Sequence, residues 1–169
     1  MLFFHIKVNK VFILGSVLFE THHLYYWPNF RPIIDEMIKS KEFDVCVSMP
    51  RRNSTIQQEI LIKECKKLSL RFITADTEAE RVRKIYKETF DIIIVGNVGQ
   101  LNKLADKNTI AVMVYHGIGL KHSYYKDISP RINIRAVESV ARLKELKNQG
   151  HRNLFLTGFT KLDRLFTIP

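Results

Sequence analysis

Short apolar runs alternate along this chain with longer stretches in which apolar residues recur at helical spacing. The runs lie at 11–17, 44–49, 70–74, 90–95, 110–115 and 153–157, with a weaker extended candidate at 132–137. Most are apolar on both faces, as parallel strands covered by helices on either side must be. Helices are expected between them at 30–40, 54–68, 77–89 and about 139–148. Ser54 with Gln57, and Thr77 with Glu80, have the spacing of capping boxes. Ile56, Ile60, Leu61, Cys65 and Leu68 would line the buried face of the second helix, and Ala79, Val82 and Tyr86 that of the third. Gly150 is placed to stop the last helix in a left-handed conformation.

This order predicts an α/β fold, a doubly wound and mostly parallel sheet with helices on both faces, built by residues 1–169 as one Rossmann-like domain. Ligands of such sheets sit beyond the carboxyl ends of the strands, so the residues that follow each run carry the functional expectation.

Composition narrows the class. The 169 residues are 46% apolar and 26% charged, which suits one globular domain and excludes intrinsic disorder. Cys46 and Cys65 are too few for a disulfide scaffold and read as buried thiols, and no Cys/His spacing suggests zinc. Lys and Arg outnumber Asp and Glu by 27 to 17, and +6 of the resulting +10 lies from Tyr115 onward. Such an excess favours polyanions: nucleic acid, anionic lipid or phosphorylated substrates. Nucleic acid ranks last, because the aromatic residues are not interleaved with basic ones as a stacking groove requires. No run reaches the ~18 apolar residues of a membrane span. Lys7 and Lys10 before residues 11–19 imitate a signal peptide, but Glu20, Thr21, His22 and His23 follow with no small-residue cleavage site, so a buried first strand is expected. The expected location is cytoplasmic, with peripheral contact at the inner face of the plasma membrane as its extension.

The strongest candidate chemistry follows the run 110–115, where His116, Gly117, Gly119 and Lys121 stand close together. A histidine at a strand's carboxyl end has a pKa suited to proton transfer, the glycines admit close approach of backbone N–H groups to a phosphate, and Lys121 adds charge. The glycine spacing matches neither the NTPase phosphate loop nor the dinucleotide fingerprint. A turn with a satisfied histidine is the plainer alternative. After the first strand, Glu20, His22, His23, Tyr25, Tyr26 and Trp27 are expected to wall a cleft rather than hold a metal, since adjacent side chains diverge. Gly158, Thr160, Lys161 and Asp163 read as a helix start that either attracts an anion or is merely capped. Arg51, Arg52, Lys126, Arg131 and Arg135 are further candidates for phosphate contact, with solvated charge the commoner outcome for each.

The strings HHLYYWPNFRPIIDEM (22–37), YHGIGLKHSYY (115–125), RAVESVARLKEL (135–146) and GFTKLDRLF (158–166) together resemble the CDP-glycerol glycerophosphotransferase family, whose members build teichoic-acid-like cell-wall polymers. The pieces stand in the family's order and cover most of the chain. The resemblance implies a GT-B architecture of two doubly wound halves with the active site between them. This chain would be the N-terminal, acceptor-side half. It implies that His116 is the catalytic base, that Gly117, Gly119, Lys121 and Lys161 hold phosphate or substrate, and that His22, His23 and Tyr25 belong to the acceptor cleft. The partners implied are CDP-glycerol or a similar CDP-polyol donor, a polymer or lipid-linked acceptor, an anionic membrane surface, and a complementary C-terminal domain or subunit. No metal or cofactor is called for. Thr160 stands where the family more often has a small residue or proline, and after GFTKLDRLF the family continues into a nucleotide-binding half. The expectation is therefore an acceptor-side domain, inactive alone. Two alternatives stand beside it: a non-catalytic module for anionic lipid or polymer, and half of another GT-B enzyme, an epimerase or glycosyltransferase, which fold alone would not separate.

Overall fold

Seven strands pair side by side, all parallel, in the computed structural model, which describes residues 14–115 and 129–166. In chain order they are β1 (Gly15–Glu20), β2 (Phe43–Ser48), β3 (Arg71–Ile73), β4 (Ile92–Val95), β5 (Ile110–Val114), β6 (Ile134–Val137) and β7 (Leu154–Leu156). Their order across the sheet is β3-β2-β1-β4-β5-β6-β7. The chain steps outward from β1 to β3 and then returns to lay β4 on the other side of β1. That reversal opens a crevice between the β1 and β4 carboxyl ends, the place where open parallel sheets bind ligands.

The helices are α1 (Trp27–Ser40), α2 (Thr55–Lys67), α3 (Glu78–Glu88), α4 (Leu101–Leu104) and α5 (Val140–Asn148). Apolar side chains from both faces of each strand divide the core in two. On one face Val17, Phe19, Val45, Val47 and Ile94 pack against Phe30 and Ile34 of α1 and Leu61 and Cys65 of α2. On the other, Leu18, Cys46, Ile93 and Val95 meet Ile85 of α3 with Leu101 and Leu104 of α4. Burial pushes both cysteine thiols up to about 12, as expected of inert core residues.

The α/β class and the doubly wound sheet are as expected, and the 132–137 segment supplies a true strand. Three details differ. β1 is shifted toward its carboxyl end, because register with β2 pairs Gly15 with Phe43 and Glu20 with Ser48. Glu20 therefore ends the strand, buried, instead of following it. On α2 the buried stripe is Gln58, Leu61 and Cys65, while Ile56 and Ile60 face outward. On α3 the buried side chains are Arg81 and Ile85, with Tyr86 half exposed, because the Arg81 guanidinium is drawn inward by Glu20 and turns the helix accordingly.

Ser54, Thr77 and Ser139 each accept a hydrogen bond from the backbone N–H three residues on, and so cap α2, α3 and α5. Gly150 takes the expected left-handed conformation with φ 83° after α5. Beyond β7, Thr160–Phe166 forms a 3-10 helix rather than the start of an α-helix. The Thr160 hydroxyl donates to the Asn29 carbonyl at 2.8 Å, so it ties this segment to α1 instead of capping it.

Candidate functional site

Glu20 sits at the base of the crevice, fully buried, and charge burial of that kind requires a partner. Arg81 of α3, also fully buried, supplies it with Nη1 2.9 Å from Glu20 Oε2. The same Nη1 donates to Ser48 Oγ at 2.6 Å, and Ser48 in turn donates to Glu20 Oε2. The other side of the guanidinium forks onto Glu78, through Nε at 3.0 Å and Nη2 at 2.6 Å. Burial works against the Arg81 charge, but Glu78 and Glu20 outweigh it and hold its pKa above the usual value. Burial likewise works against the Glu78 carboxylate, yet the Arg81 hydrogen bond and the Arg51 N–H at 2.8 Å bring it below its ordinary range. One network thus joins the ends of β1 and β2 to the first turn of α3.

The loop from β1 to α1 is held by backbone accounting. The Thr21 N–H donates to the Ser48 carbonyl at 2.8 Å, Asn53 Nδ2 to the His22 carbonyl at 2.7 Å, and the Leu24 N–H to Gln57 Oε1 at 3.2 Å. With its backbone fixed, the loop turns Thr21 and His22 into the interior, 0% and 1% exposed. Across the crevice the β4–α4 loop approaches so closely that side chains there would collide. A Cβ on Gly96 would lie 2.0 Å from the Tyr26 ring, and one on Gly99, whose φ is +41°, would lie 2.0 Å from His22 Nε2. Asn97 Nδ2 donates to the Tyr26 hydroxyl at 2.7 Å and closes the contact.

Several polar atoms in this corner are buried without a hydrogen-bond partner: Glu20 Oε1, Thr21 Oγ1, Asn29 Oδ1 and both ring nitrogens of His22. Buried polar groups are nearly always satisfied in folded proteins, so such a concentration at a ligand-binding edge is unused hydrogen-bonding capacity. Burial, the largest influence, pushes the His22 pKa below its ordinary 6.5; Glu20 pulls it up, while Arg52, Arg81 and His23 push it down. A neutral imidazole results, able to donate from one nitrogen and accept at the other.

His22 is therefore sealed beneath the crevice and does not line an open wall. His23 and Tyr25 stand outside it. Their rings stack at 5.3 Å between centroids, Tyr25 stacks on Tyr26 at 4.6 Å, and Tyr25 is 54% exposed. These two present the aromatic surface at the crevice mouth. No group of His, Cys, Asp and Glu suited to a metal occurs among the described residues. His116, Gly117, Gly119 and Lys121 lie outside the described residues, as does Lys126. Tyr115, which ends the first described segment after β5, is buried one strand beyond β4. Lys161 is exposed on the 3-10 helix that packs on α1.

Two of the candidate arginines hold neighbouring groups, Arg51 from an exposed position and Arg131 from a partly buried one. Arg51 Nη1 donates to Gln58 Oε1 at 2.7 Å. Arg131 clasps the chain between β4 and β6, donating to the carbonyls of Asp106 and, at 2.7 Å, Thr109, and to Asn133 Oδ1 at 3.1 Å. Sequence reasoning missed Arg81, Ser48, Gly96, Asn97 and Gly99. The pair Gly96 and Gly99 just after an apolar run was the available signal. A groove of about 590 Å³ lies elsewhere, between α1, the end of α2 and the 3-10 helix. Arg31, Asp35, Lys67 and Asp163 are among its lining residues, and Arg31 and Lys67 are neutralised by neighbouring acids.

Gly99→Ala should destabilise the fold by about 1–3 kcal/mol from overpacking, with a further penalty for the positive φ, and should displace the His22 ring. Urea denaturation reads the first effect and the imidazole NMR signals the second. His22 also gives a pH signature. Well above pH 6.5 its imidazole is neutral whether the chain is folded or not. Below it the unfolded chain binds a proton that the folded chain resists, so stability falls as pH drops, by at most about 1.4 kcal/mol per pH unit for one proton. Urea melts at pH 7.5 and 5.5 should show this loss in the parent chain, and a smaller loss in His22→Gln.

No helix among the described residues is long and apolar enough to cross a membrane. Compared with family models, with curated proteins and with solved structures, the chain matches none.

Proposed function

We propose that this chain is the acceptor-side half of a transferase that moves glycerol phosphate, or a related polyol phosphate, from a CDP-activated donor to a hydroxyl of a polymer or lipid-linked acceptor. The observation that carries the reading is the position of the histidine-glycine string. In sequence it begins at Tyr115, the residue after the carboxyl end of β5, and β5 is the neighbour of β4 in the sheet. The resemblance of the four quoted strings supports the same assignment.

In this reading His116 takes the proton of the acceptor hydroxyl as its oxygen attacks the β-phosphorus of CDP-glycerol. A P–O bond forms to the acceptor, the bond to the CMP oxygen breaks, and CMP leaves. Backbone N–H groups at Gly117 and Gly119, with Lys121 and Lys161, offset charge on the transferred phosphoryl group, where positioning and electrostatics supply most of the catalysis. His23 and Tyr25 offer an acceptor polyol a stacked aromatic surface. The donor would be held by a companion half. Leu165 and Phe166 are exposed apolar side chains that such a half could cover. A second reading, a non-catalytic module for anionic polymer or lipid at a membrane surface, draws on the excess of +6 from Tyr115 onward.

CMP release from CDP-glycerol, CDP-ribitol and UDP-sugars, measured with the chain joined to a donor-binding half, separates these readings. His116→Ala should lower turnover of the CDP-polyol by about 10²–10⁴-fold while donor binding persists. Unchanged turnover would remove His116 as the base. Salt-sensitive binding of anionic vesicles that ignores His116→Ala, with no turnover of any donor, would favour the second reading.

A further inference from the structure

A second concentration of unsatisfied buried groups lies at the corner where β5, β6 and α5 meet. Arg135 pairs with Met113 in the β5–β6 register, on the sheet face that also carries Tyr115. Its side chain is pulled into that face, the residue is only 6% exposed, and neither Nε nor Nη1 has a hydrogen-bond partner. A buried guanidinium without a partner is costly, since it forfeits hydration and gains nothing in exchange. Among the described residues no carboxylate lies within ion-pair distance of it. Burial pushes its pKa below the usual value, and Tyr115 acts in the opposite direction.

Arg142, the third residue of α5, lies over the Tyr115 ring. Its guanidinium carbon is 5.2 Å from the Tyr115 ring centroid, and its Nε lies 2.9 Å from Glu138 Oε1. Both partners of that ion pair are nearly buried, at 5% and 7% side-chain exposure. Glu138 Oε2 is left without a hydrogen-bond partner. Among the described residues Arg142 thus has Glu138 as its ion-pair partner, while the charge of Arg135 has none. A singly charged anion with two free oxygens matches both that charge and the planar fork of an arginine.

We propose that Arg135 binds the phosphodiester group of a polyol-phosphate chain. The choice of a phosphodiester over a carboxylate rests on the function proposed above; the presence of an anion site does not. The corner includes Tyr115, the residue before His116 in the sequence, so a phosphodiester held there would tether an acceptor polymer. Outside the described residues the sequence carries one acidic side chain, Asp127, which the test below checks as an internal partner.

The test is titration of the full chain with glycerophosphoglycerol, with acetate as comparison at constant ionic strength, followed by NMR of the arginine Nε–H signals. It needs no donor and no turnover, so its outcome is independent of whether CDP-glycerol is the donor. The expected result is a saturable shift of the Arg135 signal by the phosphodiester, with affinity reduced about tenfold or more in Arg135→Gln. Arg135→Lys, which keeps the charge without the fork, should be intermediate, and serves alone if Arg135→Gln does not fold. No shift of the Arg135 signal would overturn the proposal. So would acetate binding as tightly as the phosphodiester, or an Arg135 signal already characteristic of an ion pair and abolished by Asp127→Asn.

Discussion

The carboxyl edge of this sheet is organised around one buried ion pair, Glu20 with Arg81. Neither side chain can reach water, so the free energy of each charge depends on the other and on the Ser48 hydroxyl wedged between them. The consequences spread outward. Arg81 fixes the rotation of α3, and its fork onto Glu78 fixes the loop after β2 through the Arg51 N–H. Glu20 in turn sets where β1 stops and where the Thr21–His22 turn begins. The crevice between β1 and β4 has its shape because a charged cluster, not an apolar one, closes its floor. Hydrophobic burial would fill such a corner with interchangeable residues; an ion pair demands one geometry.

The alternation of apolar runs and helical stretches made most of the fold readable, because parallel strands buried on both faces leave a signal that does not depend on partners. Strand boundaries were harder. β1 slid toward Glu20 because its extent is decided by pairing with β2, and a strand-ending carboxylate appears as a loop residue until its arginine is known. On α2 and α3 the expected faces hold at Leu61, Cys65, Leu68 and Val82 and fail elsewhere, for a related reason. Arg81 and Gln58 are buried polar residues, and a hydrophobicity pattern assigns them to solvent. Ile56 and Ile60 were assigned to the core by the same rule and face outward.

The candidate site was legible in part. Its location after the strands followed from topology, and the aromatic character of the β1–α1 loop was visible in His23, Tyr25 and Tyr26. Depth was not visible. Nothing in the string of residues distinguishes sealed His22 from exposed Tyr25, since that depends on how closely the glycines of the β4–α4 loop approach. Arg135 shows the same limit from the other side. It read as one basic residue among several, and only its burial without a partner sets it apart from Arg131, which is spent on backbone carbonyls.

A double-mutant cycle on Glu20 and Arg81, using Glu20→Gln and Arg81→Met with urea denaturation, tests most directly whether this pair governs the edge. Arg81→Met should cost about 3–5 kcal/mol, because it strands the Glu20 carboxylate in the interior. Glu20→Gln, which leaves Arg81 its fork onto Glu78, should cost less. The double variant should cost less than the two losses added together, with a coupling of roughly 1–3 kcal/mol. Losses that add to within about 0.5 kcal/mol would contradict the account, for they would mean that the two residues act independently and that the floor of the crevice is held by something else.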